Sequence, residues 1–205
     1  MKVKAKAPTP KRGRPRAFNE QWALDAALKV FWKKGYEGAS LDDLTAAMGI
    51  NRPSLYAAFG NKEALFRKAL DRYDERAVHA RDALNEPTAR KVVERLLYGG
   101  IEIAANPRNP RGCLMVQTAL SCGDAAEPIR RELCARRAAR EAELRERFER
   151  AQAEGDLPPD SDPADLARFV NTIIQGMSVQ SSSGATPEQL HRIADTAMRA
   201  WPTQA

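Results

Sequence analysis

Two short helical patterns separated by a two-residue turn constrain the fold more than any other feature of this chain. The first pattern begins at Ser40 and ends near Met48, and the second begins at Asn51 and ends near Phe59. Only Gly49-Ile50 lies between them. Apolar residues fall where two such helices bury their inner faces, at Leu41, Leu44, Ala47, Ile50, Leu55 and Phe59. This spacing predicts a helix-turn-helix.

The remaining apolar residues from position 18 onward also follow a helical period. Asn19 is expected to cap a first helix that Gly35 stops, and Asn61 a fourth helix that reaches about Leu84. Two prolines and a glycine predict a loop at 106–112. Since no run of alternating β-branched residues indicates a sheet, the predicted fold class is all-α, with about nine helices. The later five are expected at about 88–105, 113–122, 126–153, 163–181 and 187–200.

Basic residues are concentrated at the start of the chain. Residues 1–16 contain seven lysines and arginines and no acid, whereas the other residues are close to neutral. A basic arm on a neutral body is common in nucleic-acid-binding proteins, although a solubilising tail has the same charge. We expect residues 1–17 to be disordered. The mixed Arg/Glu run from Arg130 to Arg150 is interpreted instead as a solvated helix face.

Several classes of protein do not fit the composition. The chain has no run near the roughly 18 apolar residues of a membrane span and begins without the apolar core of a signal peptide, so we expect a cytoplasmic protein. Three cysteines match no zinc spacing and the two histidines stand apart, so no metal or disulfide framework is expected. Without a glycine-rich phosphate loop or a convincing carboxylate pair, neither catalysis nor a cofactor is expected.

The segment from Ala26 to Phe66 resembles the tetracycline-repressor-like (TetR/AcrR) family. Its most diagnostic part is Leu-Tyr-x-x-Phe-x-x-Lys-Glu-x-Leu at residues 55–65. Thr45 departs from the alanine that the family more often has. The resemblance covers about a quarter of the chain. It implies a DNA-binding domain at 18–66 and a helical ligand-binding and dimerisation domain at 67–205.

The resemblance also implies how the helix-turn-helix meets DNA. The third helix would lie in the major groove, with its outward polar residues nearest the bases: Asn51, Arg52 and Ser54. Polar residues around it would contact phosphates or the DNA backbone: Ser40, Thr45, Tyr56 and Lys62. The position of Lys62 at a helix N-terminus fits this role, because the amides there already favour an anion.

Within the basic arm, Arg12, Arg14 and Arg16 form part of an Arg-Gly-Arg-Pro motif that resembles an AT-hook. Arginines on either side of a glycine can enter a narrow A·T minor groove. The motif directly precedes a helix-turn-helix that is expected to bind the major groove, which is the arrangement of a homeodomain arm. We therefore expect the arm to contact DNA and to add mostly electrostatic affinity. An architectural AT-hook protein without ligand control is the alternative interpretation.

For the second domain, the resemblance implies a ligand pocket within helices four to seven and a four-helix dimer interface made by the last two helices. The pocket candidates are Leu97, Tyr98, Ile101, Cys113, Met115 and Thr118. The interface candidates share a helical face that could equally form an intrachain core: Leu166, Phe169, Val170, Ile173, Ile174 and Met177.

Cys113 is the most reactive candidate in this domain. It follows Arg111-Gly112 at a helix N-terminus, where its thiol pKa would be lowered. The Gly-Cys-Leu sequence resembles a branch of the family that includes electrophile- and oxidant-sensing repressors. A buried, inert cysteine is nevertheless the favoured interpretation, since free cysteines are mostly buried. Together these features predict a homodimeric repressor that a small-molecule or electrophile inducer releases from a palindromic operator.

Overall fold

The computed structural model describes residues 18–121, 123 and 126–202, which form ten α-helices and no strand. The predicted all-α class is therefore confirmed. The basic arm and Cys122 lie outside the described residues. No described helix has the length and apolarity required to span a membrane. The helices are α1 Glu20–Gly38, α2 Leu41–Met48, α3 Arg52–Phe59, α4 Lys62–Arg76, α5 Val78–Ala83, α6 Ala89–Ala105, α7 Leu114–Ser121, α8 Glu127–Ala153, α9 Pro163–Ser182 and α10 Pro187–Arg199.

Polar caps set the start of each of the first four helices. Side-chain oxygens of Asn19, Ser40, Asn51 and Asn61 accept hydrogen bonds from backbone amides in the first turn of α1 to α4, at 2.8–3.0 Å. At Ser40 the bond is reciprocal, because Asp43 accepts from the Ser40 amide. Gly49 ends α2 in the left-handed conformation, with φ 64°. These local signals explain why the predicted helix starts agree with the structure.

The structure has a tenth helix because the predicted fourth helix is interrupted at a position that no local sequence signal predicts. The predicted fourth helix continues to about Leu84, whereas the structure interrupts it at Ala77, with φ −79° and ψ 37°. No proline, glycine or side-chain cap marks this position. The short α5 that follows packs mainly against α6. Tertiary packing rather than local propensity therefore places the break.

Two clusters of buried side chains make up the interior. The first joins α1 to α4 with α7 and the start of α8, and the second joins α6, α8, α9 and α10. α4 extends beyond the boundary predicted at residue 66, and its buried Ala69 and Leu70 still belong to the first cluster. Phe66 is fully buried there, with its ring centroid 5.0 Å from that of Phe31 and 5.1 Å from that of Tyr36. The helix-turn-helix thus shares its core with the rest of α4.

Candidate DNA-binding surface and ligand cavity

The third helix presents a polar surface because its other side is anchored in the core. Leu55 and Phe59 are buried, whereas Asn51, Arg52 and Tyr56 are exposed. Tyr56 keeps 48% of its surface accessible, which is unusual for a large aromatic side chain. A short helix with two outward hydrogen-bonding side chains has the shape and chemistry for a DNA groove.

Arg52 forms a solvent-exposed ion pair with Asp42 of α2. Its Nη2 is 2.8 Å from Asp42 Oδ1, and the two side chains are 53% and 79% exposed. Such exposed pairs contribute about 0.2–1 kcal/mol. The guanidinium can therefore exchange Asp42 for a base or a phosphate at little cost.

Three other candidates have hydroxyl or amide groups engaged within the helix-turn-helix. The Ser40 hydroxyl bonds to Asp43, and Thr45 Oγ1 donates to Leu41 O at 2.9 Å. Asn51 Oδ1 accepts from the amide of Ser54 at 2.9 Å. In the described structure these groups stabilise the ends and turns of α2 and α3.

Lys62 lies at the start of α4 and is held by aromatic packing. Its Nζ is 4.7 Å from the centre of the Tyr36 ring and 3.4 Å from the carbonyl oxygen of Glu37. Partial burial lowers the pKa of Lys62, and the nearby Glu37 opposes this effect. Tyr36 was not among the predicted site residues, yet it fixes where this ammonium group lies.

A cavity of about 590 Å³ is lined by residues of α4 to α10 and by Trp32 of α1. Four of the six predicted ligand residues line it: Leu97, Ile101, Cys113 and Met115. Tyr98 and Thr118 do not. Tyr98 instead donates to Asp195 Oδ1 at 2.6 Å and thereby joins α6 to α10. Thr118 is fully buried in α7 outside the lining.

Arginines of α8 supply polar lining that the sequence interpretation missed. Arg136, Arg137 and Arg140 face the cavity, so the interpretation of the whole Arg130–Arg150 run as a solvated face was wrong for these positions. It was also wrong for Arg147, which is buried and donates to the carbonyls of Leu84 and Glu86. Residues three and four apart share one side of a helix, and here that side turns inward. The pattern of alternating charges could not show which side this would be.

The arginines also tie α8 to α4. Arg136 contacts Asp71, Asp74 and Glu132 at 2.7–2.9 Å, and Arg140 contacts Asp74. Nearer the start of α4, Arg67 lies 2.8 Å from Glu132. Side chains on the cavity wall are thus bonded to the helix whose first turn carries Lys62.

Two aromatic residues connect the cavity to the helix-turn-helix core. Trp32 of α1 donates from Nε1 to the carbonyl of Gly112 at 2.9 Å, and its ring meets that of Tyr73 edge to face at 4.9 Å. The Tyr73 hydroxyl donates to Cys113 Sγ at 3.4 Å. Burial, with the adjacent Cys113, raises the pKa of Tyr73 well above its ordinary value, so the phenol keeps its proton.

The predicted interface residues of α9 divide between two sides of that helix. Val170 and Met177 are buried within the chain, and Ile174 and Met177 line the cavity. Leu166 packs against the second core cluster. By contrast, Phe169 is 37% exposed and, with Ile173, lines a groove between α9 and α10. Phe169 is thus the one exposed side chain among the six candidates, whereas Ile173, like Leu166, is partly buried against the second core cluster.

Comparison with known proteins places most of the chain in one family. Residues 23–69 match the family described as "Bacterial regulatory proteins, tetR family", and residues 89–201 match "Tetracyclin repressor-like, C-terminal domain". The chain is 42% identical over 197 residues to the HTH-type transcriptional repressor ComR of Escherichia coli K12, covering 93% of this chain and 92% of that repressor. It is 31% identical to the repressor BdcR of the same organism, covering 87% and 86% of the two chains.

A solved structure gives the same result in three dimensions. A cysteine mutant of the TetR family transcriptional regulator CifR, complexed with 26-bp double-strand operator DNA, superposes with a TM-score of 0.88. The two are 45% identical, and the match covers 92% of this chain and all of that one. The protein described here therefore belongs to the tetR family of bacterial regulatory proteins. The predicted family is confirmed, and the alternative of an architectural AT-hook protein is not supported.

Proposed function

We propose that this protein is a homodimeric transcriptional repressor that binds a palindromic operator through α3 and releases it when a small molecule occupies the cavity. The outward face of α3, with Arg52 and Tyr56 exposed above a buried Leu55, is the observation that carries the proposal. The named repressors among its relatives support it. No enzymatic step is involved, and such a regulator acts in the cytoplasm.

Ligand control would act through α4 and α1. An occupant of the cavity touches Tyr73 and Trp32, which pack on the helix-turn-helix core, and arginines bonded to α4. A small rotation of α4 in both subunits changes the separation of the two α3 helices. Because consecutive major grooves are about 34 Å apart, a changed separation weakens binding to both half-sites at once.

Cys113 offers a covalent route to the same change. Its thiol lines the cavity and accepts the Tyr73 hydroxyl hydrogen bond. An electrophile that adds to Cys113 Sγ would displace this bond at the junction with α1. Exposed Cys134 serves as the internal control for non-specific modification.

The dimer interface is proposed to form along the α9–α10 groove. Replacing Phe169 with glutamate puts a charge in an interface that needs an apolar core, so we expect at least a tenfold weaker dimer. Sedimentation of dilution series measures this. Val78→Glu is the matched control, since Val78 is also exposed and apolar but lies on α5. An undiminished dimer in Phe169→Glu would contradict the proposed interface.

The basic arm is proposed to add affinity that depends on salt. Deleting residues 1–16 removes seven positive charges, so the plot of log affinity against log salt should become shallower. Each lost phosphate contact contributes about 0.9 to the slope. Titrating operator binding over a range of salt concentrations measures it, and an unchanged slope would show that the arm does not touch DNA.

Recovery of genomic fragments bound by the purified protein tests the proposed function as a whole. We expect a palindromic sequence, protected by two chains, that is enriched over bulk DNA. Binding with no preferred sequence, or with one chain per site, would refute the proposal.

A further inference from the structure

Three polar atoms on the wall of the cavity are buried without a hydrogen-bond partner among the described residues. They are Arg137 Nε, Asn171 Nδ2 and His79 Nδ1. Buried polar groups are nearly always satisfied, so unpartnered ones at the edge of a cavity point to a group that enters it. Arg137 Nε and Asn171 Nδ2 are hydrogen-bond donors, and the bound group must accept from them.

Arg137 differs from the two other α8 arginines that face the cavity. Arg136 and Arg140 are neutralised by carboxylates, whereas Arg137 donates only to the neutral side chain of Gln175. No ion pair of Arg137 is found in the described part of the chain. Since a guanidinium does not lose its proton, a partly buried Arg137 lacks a counter-ion.

α9 contributes a second unpartnered donor to the cavity lining. Asn171 lies four residues before Gln175, which is one helical turn away on the same face. Across the cavity, burial lowers the pKa of His79, and the charges of Arg140 and Arg95 add to this effect. The neutral imidazole therefore adds no second positive charge. Overall, four arginines but two acids line the cavity: Arg81, Arg136, Arg137 and Arg140 with Asp74 and Glu143.

We infer that the cavity binds a small organic carboxylate with an apolar body, and that its carboxylate group lies against Arg137 and Asn171. A guanidinium edge matches a carboxylate in geometry and charge. The lining also contains large apolar side chains that suit a hydrocarbon body: Leu97, Ile101, Met115, Leu144, Ile174 and Met177. A volume of about 590 Å³ is typical of sites for small molecules. The inference rests on the proposed function, since it names the class of ligand for the same cavity.

Calorimetric titration of the full chain with octanoate tests the inference, with octanamide and octylamine as equally long neutral and cationic probes. We expect octanoate to bind at least tenfold more tightly than either, because only octanoate carries the negative charge that would pair with Arg137. Arg137→Met should remove this preference while octanamide binding stays the same. Arg137→Lys keeps the positive charge but not the planar set of guanidinium N–H donors, so its preference for octanoate should lie between those of the unaltered protein and Arg137→Met.

Arg145→Met is the matched control, because Arg145 is on the same helix but outside the cavity lining and pairs with Glu149. Equal binding of octanoate and octanamide, no octanoate binding at millimolar concentration, or full octanoate affinity in Arg137→Lys and Arg137→Met would overturn the inference. Operator binding measured in parallel distinguishes a failure of the inferred ligand class from a failure of the proposed ligand control. Octanoate that binds through Arg137 but leaves the operator complex intact supports the inference and contradicts ligand control by this cavity. Operator release by octanamide but not by octanoate would support ligand control by this cavity and contradict the inferred preference for a carboxylate.

Discussion

Replacing both Arg52 and Tyr56 with alanine should lower operator affinity about 30- to 1,000-fold for each half-site at fixed salt. A good contact to a base edge is worth about 1–3 kcal/mol and an ordinary hydrogen bond about 1 kcal/mol, so the two losses total about 2–4 kcal/mol in each subunit, and a dimer on a palindrome loses them twice. The fold should hardly change, since both side chains are exposed and the Arg52–Asp42 pair is a surface pair. Fluorescence anisotropy with labelled operator measures the loss, and thermal melting checks the fold.

Arg199→Ala is the control for this variant. Arg199 is an exposed arginine of α10, in the second cluster of helices, and bonds only to Thr196 in the described structure. Its removal should leave operator affinity unaltered. If the double variant and Arg199→Ala bound the operator equally well, α3 would not be the helix that reads DNA.

Replacing Phe66 with alanine should produce the largest loss of stability, about 3–5 kcal/mol in the free energy of unfolding. Phe66 is fully buried, and its ring meets Phe31 and Tyr36 edge to face. Proteins of this kind are stable by only about 5–15 kcal/mol, so the loss removes a large share. Urea unfolding at one fixed protein concentration, which matters for a dimer, measures it.

An exposed aromatic residue provides the comparison. Tyr56→Ala removes a side chain of similar size from the surface and should change the free energy of unfolding by less than about 0.5 kcal/mol. Equal urea midpoints for the two variants would show that the three-ring cluster does not hold α1 against α4. A Phe66→Ala protein should also bind operator more weakly, because Tyr36 and Lys62 lose their support.

Most helix starts in the first half were predictable because the responsible interactions are local. A cap such as Ser40 or Asn51 bonds to an amide three residues away, so the few letters around it specify the geometry. The same holds for Gly49, whose left-handed backbone ends α2. The break at Ala77 had no such signal, since it depends on how α5 packs against α6.

The cavity was predictable only in outline. Leu97 and Ile101 are four residues apart and therefore share a face of α6, and both line the cavity. Arg137 and Asn171 come from α8 and α9, and their meeting depends on how those two helices are set against each other. Tyr98 lies one residue beyond Leu97 and points instead toward Asp195 of α10. A rotation of about 100° per residue is enough to move a side chain from one environment to another.

By itself, the sequence determined the helical class, the helix-turn-helix and its outward polar residues, because these follow from short-range periodicity and capping. The family came from the resemblance of the motif at residues 55–65. The tertiary structure alone decided which side of α8 and α9 turns inward. That choice made Arg137 a cavity residue, buried Val170 and Met177 within the chain, and left Phe169 exposed. The physical reason is that a helix with polar or apolar residues on several faces can pack in more than one orientation, and only the neighbouring helices select among them.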